Sequence, residues 1–119
     1  MSGKRSILIV EDEPLIAMML EDFLETLGHD VVGTCDSVEE AIERVEAGGF
    51  DLAIIDVQLK DGQRVWPLAD RLAKAGTPFI IATGGHVEPP PEAHAAAPIL
   101  AKPYTIEAIE PALALACGG

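Results

Sequence analysis

Leu52-Ala53-Ile54-Ile55 runs without a polar side chain straight into Asp56. Three other stretches repeat the arrangement: Ile7 to Val10 runs into Glu11-Asp12-Glu13, Phe79 to Ala82 into Thr83, and Ile99 to Ala101 into Lys102-Pro103. A strand covered on both faces reads as an unbroken apolar run, which is the pattern of a parallel sheet between two layers of helices. Ligands of such open sheets bind beyond the carboxyl ends of the strands. The four runs therefore deliver the acids Glu11, Asp12 and Asp56, a hydroxyl and an amine to one crevice.

Between the runs lie stretches of helical period. From Pro14 to Leu27, the residues Ile16, Met19, Leu20, Phe23 and Leu27 share one face, opposed by Glu21, Asp22, Glu25 and Thr26, and Gly28 ends the helix. A strand is expected at Asp30 to Cys35. Ser37-Val38-Glu39-Glu40 then has capping-box spacing, with Val38, Ala41, Ile42 and Val45 inward and Gly48-Gly49 as the stop. A third helix is expected from about Arg64 to Ala75, with Pro67 tolerated only in its first turn. Thr105 caps a last helix carrying Ile106, Ile109 and Leu113, which Pro111 should kink or divide. Strand and helix alternate about five times, so the fold class is α/β with a parallel sheet and helices on both faces. Gly84 to Pro98 breaks the rhythm, because Pro89-Pro90-Pro91 leaves only Glu92 to Ala97 for a fourth helix, which should be short or irregular.

The 119 residues suit one domain, and a 49% hydrophobic content suffices for a core. Eight Lys and Arg against twenty Asp and Glu give a net charge of -12, which opposes direct contact with nucleic acid or an anionic membrane. Cys35 and Cys117 lie far apart and form no metal-ligand motif, so they read as a buried strand residue and a tail thiol. His29, His86 and His94 do not cluster and read as solvated or capping groups. Neither a leader nor a membrane span is legible, and the expected location is the cytoplasm.

Carboxylates gathered at one site repel, so Asp12 beside Asp56 calls for a cation, and hard oxygen donors suit Mg²⁺. Glu11 is expected behind them, because Asp12 sits one residue further into the loop. An aspartate in such a site can act as a nucleophile and form an aspartyl-phosphate. Phosphoryl transfer asks mainly for positioning and for neutralisation of the equatorial oxygens, which Mg²⁺, Lys102 and Thr83 could supply. Asp12 taken alone also reads as a helix N-cap before Pro14. Asp61-Gly62 reads as a turn, Thr83 alone as a strand-end cap, and Trp66 as a packing residue close enough to Asp56 to report Mg²⁺.

Glu11-Asp12, Asp56-Val57-Gln58-Leu59-Lys60-Asp61-Gly62, Ala82-Thr83-Gly84 and Lys102-Pro103-Tyr104 together, in this order, resemble the receiver domain of two-component response regulators. The likeness spans essentially the whole chain. It implies a flavodoxin-like, doubly wound, five-stranded parallel sheet of order 2-1-3-4-5, residues 1–119 forming one receiver without an output domain. It implies Asp56 as phosphoacceptor, with Asp12, Asp56 and the Gln58 backbone carbonyl as Mg²⁺ ligands and Glu11 supporting them. Thr83 and Lys102 would contact the phosphate, Pro103 and Gly62 would shape the loops, and Gln58, Gly85, His86 and Tyr104 would modulate the switch. Pro78 to His86 further resembles the FATGUY-type single-domain receivers of alphaproteobacterial stress signalling, with Ile81 and His86 where the motif has Phe and Tyr. Ile99 stands where many receivers carry a switch aromatic, a role that Tyr104 or Gly84-Gly85 could take.

The function so implied is a phospho-switch: a histidine kinase or histidine phosphotransferase donates to Asp56, and the fourth-helix, fifth-strand and fifth-helix face changes partner. The protein would promote its own phosphorylation without turning over a substrate, as a monomer or weak dimer, with a downstream protein reading the state. Two alternatives compete. A phosphorylation-independent docking module needs none of the acids, and an aspartyl-phosphate hydrolase wants a second acid where Gln58 stands.

Overall fold

The structure, a computed structural model, describes residues 4–57, 65–83, 97–101 and 104–117. Five strands alternate with helices: β1 (Ser6–Val10), α1 (Pro14–Thr26), β2 (Asp30–Cys35), α2 (Val38–Ala47), β3 (Leu52–Asp56), α3 (Trp66–Lys74), β4 (Phe79–Thr83), β5 (Ile99–Ala101) and α4 (Ile106–Cys117). All strand pairs are parallel, and the order is β2-β1-β3-β4-β5. The expected flavodoxin-like arrangement is therefore the observed one. The expected fourth helix at Glu92 to Ala97 falls almost entirely outside the described residues, so α4 here is the last helix of the chain.

Alternation along the strands divides the core in two. Leu8, Val10, Ala53, Ile55, Phe79 and Ile81 point to one side, where Val38 and Ala41 of α2 and Leu68, Ala69 and Leu72 of α3 cover them. Ile7, Ile9, Leu52, Ile54, Ile80 and Ala82 point to the other, against Leu20 and Leu24 of α1 and Ile109, Ala112 and Leu113 of α4. β3 is buried at every position, which is why its sequence has no polar interruption before Asp56.

Local signals explain most boundaries. The Ser37 side chain accepts from the Glu40 N–H at 3.2 Å, while the Glu40 carboxylate accepts from the Asp36 N–H, one residue further back than in a regular capping box. Gly48 and Gly49 end α2 at φ +72° and +91°, a backbone that side chains resist. Pro67 lies in the first turn of α3, which begins at Trp66. The Ala108 N–H donates to the Thr105 carbonyl, which sets Thr105 at the start of α4.

The expected face of α1, with Ile16, Met19, Leu20, Phe23 and Leu27, packs on the core, and Ala17, Leu20 and Leu24 are its deeply buried residues. Two expectations are corrected. Pro111 does not divide the last helix, which continues to Cys117. Its ring is exposed, and the buried Ile109, Ala112 and Leu113 on either side hold the helix to the sheet through the lost hydrogen bond. Cys117 is thus part of a helix rather than of a tail. Among the described residues no helix is long and apolar enough to cross a membrane.

β1 and β2 slip register between Ile7 and Leu8, which leaves Val32 unpaired in β2. Arg44 of α2 compensates by donating from Nη2 to the Val32 carbonyl at 3.0 Å. Its guanidinium lies over Gly33, where an added Cβ would stand 2.6 Å from Nη1. Gly33→Ala should displace the guanidinium and destabilise the fold by up to about 1.5–3 kcal/mol, the worth of a hydrogen bond to a charged group. In urea unfolding, Gly33→Ala should cost far less when Arg44 is already alanine; equal costs in both backgrounds would break the link.

Candidate functional site

The sheet register builds the site. Val10 pairs with Ile55, Asp56 with Ala82, and Thr83 with Ala101. Glu11 and Asp56 therefore stand side by side at one level, with Thr83 and the end of β5 one residue further out. Two backbone bonds extend the ladder past the last paired residues: the Glu11 N–H donates to the Cys35 carbonyl at 2.9 Å, and the Val57 N–H to the Ala82 carbonyl at 3.1 Å. Carboxylate oxygens of Glu11, Asp12 and Asp56 come within 4.8 Å of one another. Glu11 and Asp56 are only 3% and 2% exposed, while Asp12 is half-buried at the rim.

At an effective dielectric of about 20, two charges this close repel by roughly 3–4 kcal/mol. A divalent cation removes that cost, and three hard oxygen donors fit Mg²⁺. Asp12 is not the helix N-cap. That place belongs to Glu13, which makes no side-chain cap, and Pro14 follows as the first helical residue. The Glu13 N–H instead donates to Glu11 Oε2 at 3.2 Å, which steadies the loop carrying all three acids. The N-terminus of α1 opens beside this loop and favours negative charge there.

Thr83 Oγ1 is shielded from solvent and has no hydrogen-bond partner among the described residues. A buried hydroxyl in that condition is costly, and an oxyanion brought to the strand ends would satisfy it. The site residues thus fit both a hard cation and a phosphoryl oxygen. Gln58, Gly62, Gly85, His86, Lys102 and Pro103 lie outside the described residues; Lys102 follows Ala101, the partner of Thr83 in the ladder.

Tyr104 is the residue whose placement the sequence conveyed least. It is 5% exposed and packs with Leu100, Ile109 and Leu113 under the acids. Burial pushes its phenol far above the ordinary value, aided by the charges of Glu11 and Asp56 and by a hydrogen bond with Glu11. It stays a neutral donor against the acid cluster. Ile99, by contrast, is 53% exposed on β5. Trp66 is half-buried at the edge of the α2–α3 core. Behind Glu11, Cys35 is buried, and burial followed by the charge of Glu40 pushes its thiol up to about 11.

The comparisons with known proteins agree with this geometry. The family model described as the response regulator receiver domain matches residues 7–114. The transcriptional regulatory protein PdtaR of Mycobacterium tuberculosis is 34% identical over 116 residues, covering 94% of this chain and 56% of PdtaR. The chain thus spans little more than half the length of that relative. The solution structure of SdrG from Sphingomonas melonis Fr1 is 50% identical with a TM-score of 0.86, covering 97% of this chain and 98% of that one. The BeF3-activated conformation of SdrG, also 50% identical, superposes with a TM-score of 0.82 over 98% of this chain and 99% of that one.

Mg²⁺ at ten times its dissociation constant should raise unfolding stability by about 1.4 kcal/mol, and Asp12→Asn should abolish most of that gain. Thermal melts with and without Mg²⁺ measure both; an undiminished gain in Asp12→Asn would place the cation elsewhere. With Cys117→Ser leaving Cys35 as the single thiol, native protein at pH 8 should resist alkylation until unfolded. Because the folded thiol holds its proton more tightly than the unfolded one, stability should be intact below about 9 and fall as pH rises through about 11.

Proposed function

On the premise that the chain belongs to the response regulator receiver family, we propose that it is a phospho-switch whose phosphoacceptor is Asp56. The observation that carries this reading is the meeting of Glu11, Asp12 and Asp56 at the strand ends beside a buried Thr83 hydroxyl that has no partner among the described residues. Asp56 is the one acid of the three that ends a strand, where the ladder holds its backbone rigidly. Its carboxylate oxygen attacks the phosphorus of a phosphohistidine on a histidine kinase or histidine phosphotransferase. The new O–P bond forms as the N–P bond breaks, and the departing imidazole takes up a proton. Asp12, Asp56 and the Gln58 carbonyl, with Glu11 in support, would hold a Mg²⁺ ion, which would supply positive charge to offset that of the phosphoryl oxygens. Thr83 donates its hydroxyl to one of them, and Lys102 contributes an ammonium. Hydrolysis of the acyl phosphate by water resets the switch.

The SdrG structure solved in a BeF3-activated conformation supports the reading, because SdrG shares half of its residues with this chain over nearly the full length of both. Signalling then proceeds by a change of protein partner on the surface built by the segment after β4, by β5 and by α4. Tyr104 is the aromatic through which the acid cluster reaches that surface, since it touches Glu11 above and the core of α4 below. Location in the cytoplasm and a monomeric or weakly dimeric state complete the reading.

α1 supplies a place for the donor. Leu15 and Met18, one turn apart, are 80% and 59% exposed just beyond the acid loop. A donor helix that covers them brings its phosphohistidine to Asp56. Acetyl phosphate with Mg²⁺ should add the mass of one phosphoryl group to the wild type and none to Asp56→Asn; labelling that survives Asp56→Asn would refute the assignment. Leu15→Glu with Met18→Glu should slow transfer from a protein donor by about tenfold or more, consistent with losing two buried apolar contacts, while labelling by acetyl phosphate stays unchanged. Equal loss with both donors would show that the helix serves folding rather than docking.

A further inference from the structure

At the end of the sheet opposite the acids, His29 sits in the turn between α1 and β2, and its residue is only 6% exposed. Its backbone N–H donates to the Leu24 carbonyl at 3.0 Å, closing α1. The sequence left the ring as solvated or capping; it is buried and holds two elements at once. Nδ1 lies 3.1 Å from the Arg5 backbone N–H at the entry to β1, and Nε2 lies 2.8 Å from Glu110 Oε1 on α4.

These two contacts dictate the proton's position. The Arg5 N–H can only donate, so Nδ1 must accept and carry no hydrogen. The remaining hydrogen of a neutral ring then sits on Nε2 and donates to Glu110. A protonated ring carries hydrogen on both nitrogens. It would strengthen the contact with Glu110 into a charge-assisted bond and set its Nδ1–H against the Arg5 N–H, with little water to take either donor. Turning the ring over does not help, because both nitrogens are then still donors.

We infer that His29 is a proton-operated latch between β1 and α4: neutral, it ties both elements together, and protonated, it releases the entry of β1 while gripping α4. The other charged groups in the elements around the ring are Arg5 and Lys4 at the strand entry, Asp30 next in the chain, Glu21, Asp22 and Glu25 on α1, and Glu107 on α4. Lys4 and Asp30 pair with each other at 3.3 Å on the surface. The Asp30 N–H donates to the Arg5 carbonyl at 2.9 Å, so the strand entry is kept near the ring when the Nδ1 contact goes. Glu110 is the single carboxylate in contact with the ring among the described residues. The latch depends on no phosphoryl chemistry.

The test is a pH titration of the ¹⁵N-labelled protein, following the ring nitrogens of His29 and the amides of Arg5 and Glu110. At pH 8 the ring should show the Nε2–H tautomer. On acidification the Arg5 amide shift should move with the ring, and hydrogen exchange at Arg5 should gain about threefold to tenfold beyond the trend of neighbouring amides, as one hydrogen bond is lost. Glu110→Gln keeps a partner for Nε2 without the charge, and the Arg5 amide should still move together with the ring. His29→Asn keeps an acceptor for Arg5 and does not titrate, so its Arg5 amide should be flat across the range. An Nδ1–H tautomer at pH 8, or an Arg5 amide that ignores the ring's titration, would overturn the latch.

Discussion

Parallel pairing of β1, β3 and β4 in a fixed register is the constraint on which the site depends. With Val10 opposite Ile55 and Asp56 opposite Ala82, the chain has to set Glu11 beside Asp56 and Thr83 one step beyond. A slip of one residue would turn every apolar side chain of a strand onto the wrong face. Burial on both faces of β3 therefore fixes the position of Asp56 as firmly as it fixes the core. The acids carry a standing electrostatic cost that the core must outweigh, and a cation relieves it.

α4 is held at two places along its length. Near its start, Tyr104 reaches from the core to Glu11, and in its middle Glu110 meets the buried ring of His29. Events at the acid cluster and at the opposite end of the sheet both bear on the same helix. The exposed Ile99 on β5 is ill suited to pass a signal by rotating inward, which leaves Tyr104 as the aromatic in touch with the acids.

The strand pattern, the Ser37 cap and the glycine stops are local signals, so the alternation of strands and helices and most boundaries were readable from residues close in sequence, whereas the sheet order followed only from the likeness to receiver domains. The meeting of Glu11, Asp12, Asp56 and Thr83 was readable too, because each ends an apolar run. The His29–Glu110 contact spans 81 residues, and no periodicity within either segment announces it. Tyr104 was legible only as the residue after a Lys-Pro pair; its burial depends on how α4 packs. Pro111 misled for the opposite reason, since a local penalty was outweighed by the tertiary burial of Ile109, Ala112 and Leu113.

The most direct measurement is an amide correlation spectrum of the protein with Mg²⁺ alone and then with Mg²⁺ and beryllofluoride, beside the same series for Asp56→Asn. The account predicts that beryllofluoride shifts Glu11, Val57, Thr83 and Ala101 first, that the change reaches Tyr104 and α4, and that Asp56→Asn gives none of it. A wild-type spectrum unaltered by beryllofluoride, or one altered equally in Asp56→Asn, would contradict the claim that Asp56 is the acceptor of a switch.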